Sequence, residues 1–217
     1  MAVTQQPRRE RVFATVYDRM SRPAEDRWLG QLRSRLLGSL TGTVLDLGAG
    51  TGANLRHYRA AERVVLAEPS AAMRERLQLK LPESRVPAEV TDAAAEDLPY
   101  DDDSFDAAVF TLVLCSVTDP ELALAEARRV LKPRGRLVFV EHVRSPGPLG
   151  PWQDRLDRPW SWLAAGCHAN RDTRAAIDRA GFRVEECDTF RPRPSFFFAS
   201  PFSAGTATTA EDPSSRT

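Results

Sequence analysis

A glycine-rich turn after an apolar strand is the feature of this sequence with the clearest chemical meaning. Residues 44–52 read Val-Leu-Asp-Leu-Gly-Ala-Gly-Thr-Gly, which predicts a buried strand that runs into a turn at the start of a helix. Gly48, Gly50 and Gly52 place no side chain in the way of a ligand and adopt positive φ without strain. The backbone N–H groups of such a turn bind anionic or polar ligands. We therefore expect a dinucleotide-type cradle, although a turn required only for tight packing has the same pattern.

Two acidic residues indicate what the cradle holds. Asp46 lies at the strand end, where a charge is costly unless it has a partner, and a ligand ammonium group, directly or through water, would be one. Glu68 follows a second predicted strand, 20 residues after Gly48, and a carboxylate at this distance accepts hydrogen bonds from a ribose diol. Together they predict a nucleoside with a nearby positive charge. The pattern also fits the nicotinamide dinucleotide fingerprint loosely, with Ala53 in place of its last glycine.

Candidate acid–base groups end another predicted strand. Glu141 and His142 are consecutive, so strand alternation places them on opposite faces and only one of the two is expected to reach a substrate. Histidine is the side chain whose ordinary pKa lies nearest neutrality, which makes His142 the candidate catalytic residue. A histidine that forms a purely structural hydrogen bond at the strand end is an equally open interpretation.

An aromatic segment follows that strand. Trp152, Trp160 and Trp162 fall within eleven positions, and His168 comes soon after them. Substrate pockets are often aromatic with few polar groups, so the segment is interpreted as a lid over an apolar pocket, together with Tyr17 and the N-terminal helices. The alternative is a short helix whose tryptophans are core residues. Trp152, Trp160 and His168 are the expected pocket residues from this segment.

The elements that must position these residues alternate between strand and helix. Such alternation predicts an α/β fold with a doubly wound, mostly parallel, seven-stranded sheet, in which ligands bind at the carboxyl ends of the strands. Predicted strands cover residues 43–47, 63–67, 86–90, 107–114, 136–143, 182–188 and 196–199. Predicted helices cover two segments within 10–40 separated by Pro23, then 53–58, 70–81 with Ser70 as cap, 119–131 and 171–180. The expected organisation is a helical lid segment at 1–40, a main domain at 41–203 and a frayed tail at 204–217.

Composition excludes several classes of function. Lys+Arg and Asp+Glu both number 30, which gives no electrostatic case for a nucleic-acid partner. No apolar stretch approaches 18 residues, so no membrane span is expected, and the polar N-terminus is unlike a signal peptide. Cys115, Cys167 and Cys187 have no metal-ligand spacing, so we expect no metal and reduced thiols in a cytoplasmic protein. Buried cysteines are usually small apolar residues, and Cys115 is accordingly expected in the pocket wall. Oligomeric state is not indicated.

The acidic-x-Gly-x-Gly-x-Gly pattern from Asp46 to Gly52 resembles the first motif of the class I S-adenosylmethionine-dependent methyltransferases. The resemblance implies that S-adenosyl-L-methionine binds here and leaves as S-adenosyl-L-homocysteine. It also implies that Asp46 and the glycine backbone hold the methionine end, that Glu68 takes the ribose, and that the Ala95-Glu96 backbone lies beside adenine. The expected cofactor contacts are Tyr17, Asp46, Gly48, Ala49, Gly50, Gly52, Glu68, Pro69, Ala95, Glu96, Thr111 and Leu112.

Later motifs narrow the resemblance. The run Thr111-Leu-Val-Leu-Cys-Ser-Val117, with Glu141-His142-Val143, Pro159-Trp160 and Gly166-Cys167, is similar to the thiol S-methyltransferases. The ubiquinone/menaquinone C-methyltransferases are more distant relatives, and the match runs from about residue 41 to 181. The resemblance implies methylation of a small-molecule thiol. Alternatives are O- or C-methylation of a phenol or quinone, a nicotinamide-dependent oxidoreductase, and a non-catalytic nucleoside-binding module.

Overall fold

Strands and helices alternate after a helical N-terminal segment, in a computed structural model that describes residues 6–193 and 201–209. The helices are α1 (Gln6–Ala24), α2 (Gly30–Leu37), α3 (Ala71–Lys80), α4 (Pro120–Val130), α5 (Leu149–Leu163) and α6 (Thr173–Arg179). The strands are β1 (Thr41–Leu47), β2 (Ala60–Ala67), β3 (Ala88–Thr91), β4 (Phe105–Thr111), β5 (Leu131–His142), β6 (Phe182–Phe190) and β7 (Phe202–Thr209). A π-helical turn, Glu25–Leu29, separates α1 from α2.

The strands form a seven-stranded sheet in the order β3-β2-β1-β4-β5-β7-β6. β2 is parallel to β1 and to β3, and β4 is parallel to β5. β7 is antiparallel to both of its neighbours, β5 and β6. The predicted doubly wound, mostly parallel sheet is therefore confirmed. Within it the chain divides into two compact units, Met1–Ala94 and Ala95–Thr217, which are described separately.

The first unit contains α1 to α3 and β1 to β3. β1 and β2 are apolar and fully buried toward their carboxyl ends, as at Val44, Leu45 and Val64, which is typical of a parallel sheet covered on both faces. The edge strand β3 is half-buried or exposed. The predicted separation of two helices at Pro23 is wrong in its position, because Pro23 lies inside α1 and the π-helical turn Glu25–Leu29 joins α1 to α2 without a break. The helix predicted at 53–58 is wrong, because only a short 3-10 turn, Leu55–His57, forms there. Ser70 precedes α3, but its side chain makes no capping hydrogen bond.

The second unit contains α4 to α6 and β4 to β7. Asp119 begins α4 by accepting hydrogen bonds from the N–H groups of Glu121 (3.0 Å) and Leu122 (3.1 Å), and Pro120 is the first helical residue. Both features favour a helix start at this position. In the described residues, no helix is both long enough and apolar enough to cross a membrane.

β7 corrects the expectation of a frayed tail, which is wrong for residues 204–209. After Phe202 the strand consists of small residues, and it lies hydrogen-bonded between β5 and β6. A Cβ atom at Gly205 would lie 1.9 Å from the carbonyl oxygen of Glu186, so the backbones approach too closely there for any side chain. Small residues give no apolar alternation, which is why the sequence pattern conceals this strand. The strand predicted at 196–199 and residues 210–217 lie outside the described residues.

Candidate functional site

The glycine turn after β1 is open at one glycine and closed at another. Gly48, Gly50 and Gly52 have φ of 59°, 57° and 85°, a region that favours glycine. A Cβ atom at Gly50 would approach no atom closer than 3.9 Å, whereas one at Gly52 would lie 2.6 Å from Cδ1 of Leu77 in α3. Gly52 is thus required by helix packing, and Gly50 leaves open space for a ligand. Gly52 therefore fits the interpretation that the turn serves tight packing, and Gly50 fits the interpretation that it holds a ligand.

Glu68 lies directly against this turn. One carboxylate oxygen accepts the N–H of Gly50 and the other accepts the N–H of Ser70, each at 2.8 Å. The residue is only 7% exposed. A carboxylate oxygen has more than one lone pair, so Glu68 can hold the turn and also accept hydrogen bonds from ribose hydroxyls.

Asp46 is fully buried and is part of a hydrogen-bond network of protein side chains. Its Oδ1 accepts a hydrogen bond from Asn54 (2.9 Å), Arg33 donates to Asn54, and Arg33 also donates to Glu25 (3.1 Å). Burial raises the pKa of Asp46 to about 6, while Asn54, Tyr58 and Arg33 act in the opposite direction. The buried Tyr58 hydroxyl interacts with the same carboxylate, although no hydrogen bond of regular geometry reaches the buried Oδ2 of Asp46 from the described residues.

These features fit S-adenosylmethionine. The open space at Gly50 admits a ligand, and Glu68 offers acceptors for ribose hydroxyls. The Oδ2 atom of Asp46, which no regular hydrogen bond reaches from the described residues, can accept one from an ammonium group directly or through water. The ligand ammonium is not the first partner of Asp46, however, because Asn54 already satisfies the other oxygen.

Two residues that the sequence did not indicate, Asp18 and Lys80, also hold this turn in place. Thr51 donates a hydrogen bond to the carboxylate of Asp18 in α1, and Lys80 of α3 donates to the same carboxylate at 2.7 Å. Burial alone would raise the pKa of Asp18, but the bonds from Lys80 and Thr51 hold it below its ordinary value. Tyr17 is adjacent in α1, and its ring lies 5.4 Å from that of Phe13 between centroids.

Two more predicted cofactor contacts in this unit have backbone partners. The N–H of Ala49 donates to Ala67 at 3.0 Å, which joins the turn to the end of β2. The carbonyl of Pro69 accepts a hydrogen bond from Arg74 at 2.7 Å. Their cofactor roles stay predictions.

In the second unit, Glu141 organises the segment that follows β4. The fully buried carboxylate accepts the N–H groups of Val113 (2.9 Å), Leu114 (3.0 Å) and Cys115 (3.1 Å). Burial raises the pKa of Glu141, and the three N–H donors oppose that rise. Of the two strand-end candidates, Glu141 is therefore engaged with the backbone, and His142 lies on the other face of β5.

His142 faces two cysteines, and the three residues are referred to as the Cys115–His142–Cys167 cluster. Nδ1 of His142 lies 3.6 Å from Sγ of Cys115 and 3.4 Å from Sγ of Cys167. Trp160 packs against the two cysteines. The hydrogen bond with Cys167, together with burial, raises the pKa of Cys115 well above its ordinary value, while the hydrogen bond with Cys115 lowers the pKa of Cys167.

The remaining predicted residues in this unit are not all brought to the cluster. Trp152 is 58% exposed on α5. Nδ1 of His168 lies 2.9 Å from both oxygens of Asp157, although its backbone N–H donates to the carbonyl of Cys115 at 2.6 Å. Trp160 and Cys115 are thus together, whereas the side chain of His168 pairs elsewhere. The substrate roles of all four stay predictions.

The four predicted cofactor contacts of this unit lie in loops and at a strand end. Thr111 ends β4, and Leu112 has a positive φ of 63° while its N–H donates to Val140 at 2.8 Å. Ala95 is buried. The side chain of Glu96 accepts the N–H of Thr118 at 2.9 Å, which ties this loop to the segment before α4.

Comparison with known proteins agrees with this geometry. Residues 45–139 match the family model described as a methyltransferase domain. The chain is 36% identical over 157 residues to thiol S-methyltransferase TMT1B of Rattus norvegicus, a match that covers 70% of this chain and 64% of that protein. It therefore spans less than two thirds of that relative's length.

Two further relatives match different shares of the chain, one by sequence and one by structure. A demethylmenaquinone methyltransferase from Clavibacter sepedonicus is 44% identical over 108 residues, which is 49% of this chain and 43% of that protein. The crystal structure of an S-adenosylmethionine-dependent methyltransferase from Mesorhizobium loti has a TM-score of 0.60 at 23% identity and covers 81% of this chain and 95% of that one. The structural match supports the fold alone.

Proposed function

We propose that this chain, which carries a class I S-adenosylmethionine-dependent methyltransferase domain, transfers a methyl group to the sulfur of a small-molecule thiol. The observation that carries the proposal is the sulfur-rich Cys115–His142–Cys167 cluster of the second unit; the first unit separately holds the cofactor cradle after β1. The rat thiol S-methyltransferase is similar over 70% of the chain, which supports the same choice of acceptor.

The cradle is the proposed donor site. When bound, S-adenosylmethionine supplies an electrophilic methyl group on a sulfonium. Glu68 accepts hydrogen bonds from the ribose hydroxyls while it holds Gly50, and Asp46 receives the amino end at Oδ2. Asn54 and Arg33 keep the Asp46 carboxylate in position, so that little reorganisation accompanies binding.

The proposed reaction is an in-line displacement. The acceptor sulfur forms a bond to the methyl carbon as the carbon–sulfonium bond breaks, and the electron pair of that bond returns to the donor sulfur. The acceptor's thiol proton passes to solvent. A free thiol has an ordinary pKa of about 8.5, so a few per cent is already thiolate at neutral pH. The chain therefore needs to orient and desolvate the acceptor more than to deprotonate it.

Methylation of a ring carbon is the second candidate. The demethylmenaquinone methyltransferase from Clavibacter sepedonicus is 44% identical, but it is similar over only 49% of the chain. The cluster favours sulfur, because Nδ1 of His142 lies 3.6 Å and 3.4 Å from two cysteine sulfurs and is thereby less available as the general base that a carbon or oxygen acceptor depends on.

The test offers small thiols, phenols and quinol analogues with a labelled methyl donor. We expect label in thiols, and calorimetry is expected to show binding of S-adenosylhomocysteine. Label in phenols or ring carbons while thiols stay unlabelled would contradict the choice of sulfur. Tight binding of a nicotinamide dinucleotide without binding of S-adenosylhomocysteine would instead favour an oxidoreductase.

Two further expectations from the sequence stay predictions. One is a cytoplasmic location. The other is that residues 1–40 and 151–168 cover the bound substrates, for which hydrogen exchange is the measurement. Exchange in both segments should slow when S-adenosylhomocysteine and an acceptor are present, and a change confined to residues 44–70 would rule out a lid.

A further inference from the structure

The Cys115–His142–Cys167 cluster has the dimensions of a metal site. Its two sulfurs and Nδ1 of His142 all lie within 4.8 Å of one another. Zinc binds cysteine sulfur at about 2.3 Å and histidine nitrogen at about 2.0–2.1 Å in a tetrahedron, which places sulfur and nitrogen ligands about 3.5 Å apart. The two sulfur–nitrogen distances here are 3.6 Å and 3.4 Å. These two distances match those between sulfur and nitrogen ligands of a tetrahedral zinc ion.

We propose that Cys115, His142 and Cys167 bind one Zn²⁺ ion and leave its fourth position open. Two thiolates and one neutral imidazole balance the charge of the ion, and this donor set is found in zinc sites that keep an exchangeable position for substrate. Thiolate and imidazole ligands select zinc over hard cations such as magnesium or calcium.

The backbone around the ligands is held in place from several sides. Glu141 accepts the N–H of Cys115, and the carbonyl of Cys115 accepts the N–H of His168, the residue after Cys167. The two cysteine-bearing loops are thereby tied to each other and to β5. Such outer contacts fix the ligands of metal sites.

Each of the two cysteine-bearing loops contains a residue with strained backbone, two of the four non-glycine positions with positive φ among the described residues. Leu112, three residues before Cys115, has φ of 63°, and Ala165, two residues before Cys167, has φ of 50°. Residues with side chains rarely adopt this region, and such strain gathers at functional sites. Cysteines that serve only as small apolar core residues require neither this strain nor two sulfurs on one imidazole nitrogen.

The open position gives the site a function, which rests on the proposed thiol methylation. A thiol that coordinates a metal ion is deprotonated outright, so an acceptor bound at the open position would lose its proton to solvent and become a thiolate, the form that reacts in the proposed methylation. The carbon–sulfur bond then forms and the carbon–sulfonium bond breaks as described above, with no change in the oxidation state of zinc.

Metal binding is measured first, independently of catalysis. The full chain, reduced and stripped with a chelator, is titrated with Zn²⁺ and with Co²⁺, whose thiolate charge-transfer and tetrahedral bands report the ligands. We expect one equivalent to bind. Cys115→Ser and Cys167→Ser should each lower the affinity at least about 100-fold, because changes outside the ligand shell alone cost up to about that much.

Cys187→Ser is the matched control, since this third thiol lies 3.3 Å from Ser203 Oγ and outside the cluster; it should bind the metal as the parent does. Binding of S-adenosylhomocysteine and the circular dichroism spectrum verify that each variant is folded. A reduced, folded parent that binds neither ion, or that binds with equal affinity after both cluster substitutions, overturns the site. The site is also overturned if Cys115 and Cys167 are found as a disulfide and the protein binds no zinc once that disulfide has been reduced.

The open position is tested by adding a small thiol to the cobalt-loaded protein. A shift of the charge-transfer bands supports coordination of the acceptor, and unchanged bands overturn that role. Thiol methylation at the full rate by the zinc-free protein overturns it as well. If the labelled-donor assay finds no thiol product while one equivalent of metal binds and responds to thiols, the metal site stands and the proposed function fails.

Discussion

Sγ of Cys167 lies 3.4 Å from Nδ1 of His142, although 25 residues separate the two in the chain. Sγ of Cys115 approaches the same nitrogen at 3.6 Å. That nitrogen is thus engaged by sulfur, which leaves less scope for the general-base role that a histidine at a strand end suggests.

Replacement of His142 distinguishes a base from a ligand. We expect His142→Ala to lower thiol methylation at least about tenfold and to lower the affinity for Zn²⁺ at least about 100-fold. Raising the pH past the ordinary thiol pKa of about 8.5 supplies thiolate whichever role is lost, so metal binding is the measurement that separates the two. Zn²⁺ titration and the rate are measured together, with Cys187→Ser as control. A lower rate with unchanged Zn²⁺ affinity would contradict the ligand role.

Two glycines of the turn should respond differently to the same change. Gly50→Ala introduces a methyl group into open space at φ of 57°, so it should lower the free energy of unfolding by about 1–2 kcal/mol. The binding free energy of S-adenosylhomocysteine should fall by more than this loss of stability. Gly52→Ala places that group 2.6 Å from Cδ1 of the buried Leu77, which should cost about 1–3 kcal/mol more in stability. Denaturation and calorimetry measure the two effects. Unchanged ligand binding by Gly50→Ala would show that the open space is not the ligand site.

Much of the fold follows from local sequence signals, and the exceptions have physical causes. β1, the glycine turn and α4 were predictable because their apolar runs, glycines and Asp119-Pro120 start are local. β7 was not, because Gly205 and its small neighbours are selected by close backbone approach to β6, which has no periodic signature.

The candidate site was predictable to a smaller extent for a related reason. Asp46 and Glu68 were found from their distance to the glycines. The hydrogen-bonded side chains around Asp46 were not predictable. Arg33 lies in α2, 21 residues before its partner Asn54, and nothing in the local sequence marks that pairing. Cys167 and His142 likewise meet only through the packing of separate elements.

Glu68 should contribute measurably to cofactor binding. Glu68→Ala removes the acceptors expected for the ribose hydroxyls, which are charge-assisted bonds worth about 1.5–3 kcal/mol, so calorimetry should show about a 10- to 100-fold weaker affinity for S-adenosylhomocysteine. Glu62→Ala, at an exposed position of β2, the strand that ends just before Glu68, is the control. If the Glu68 variant binds donor and product like the parent, this carboxylate is not the ribose acceptor.

Glu141 should matter for stability through the backbone that it holds. In Glu141→Gln one oxygen can still accept two N–H groups, but the amide nitrogen cannot accept the third. One buried donor is then unsatisfied, which costs about 1–3 kcal/mol. Chemical denaturation measures the change, and Glu186→Gln, an exposed residue of β6, should change little. Equal stability of the two variants would contradict the positioning role of Glu141.

The buried Asp46 predicts a pH-dependent difference between the parent protein and Asp46→Asn. Burial raises the pKa of Asp46 from its ordinary value of 3.8 to about 6 in the folded state. Its contribution to stability is therefore fully present below the unfolded pKa and is lost as the pH rises through the folded pKa. The asparagine does not titrate, and its amide oxygen can still accept the hydrogen bond from Asn54. Arg33 keeps a charged partner in the variant, because it still donates to Glu25.

Relative to Asp46→Asn, the parent should lose up to about 3 kcal/mol of unfolding free energy between about pH 4 and about pH 7. Urea denaturation of both proteins across this range measures the difference, with the exposed Asp92→Asn as control. Most of the change should fall between the two pKa values, since only there do the folded and unfolded states bind different numbers of protons. A difference that is constant with pH would show that Asp46 ionises in the folded protein at its ordinary pKa. A difference of opposite sign would show that Asn54, Tyr58 and Arg33 outweigh burial.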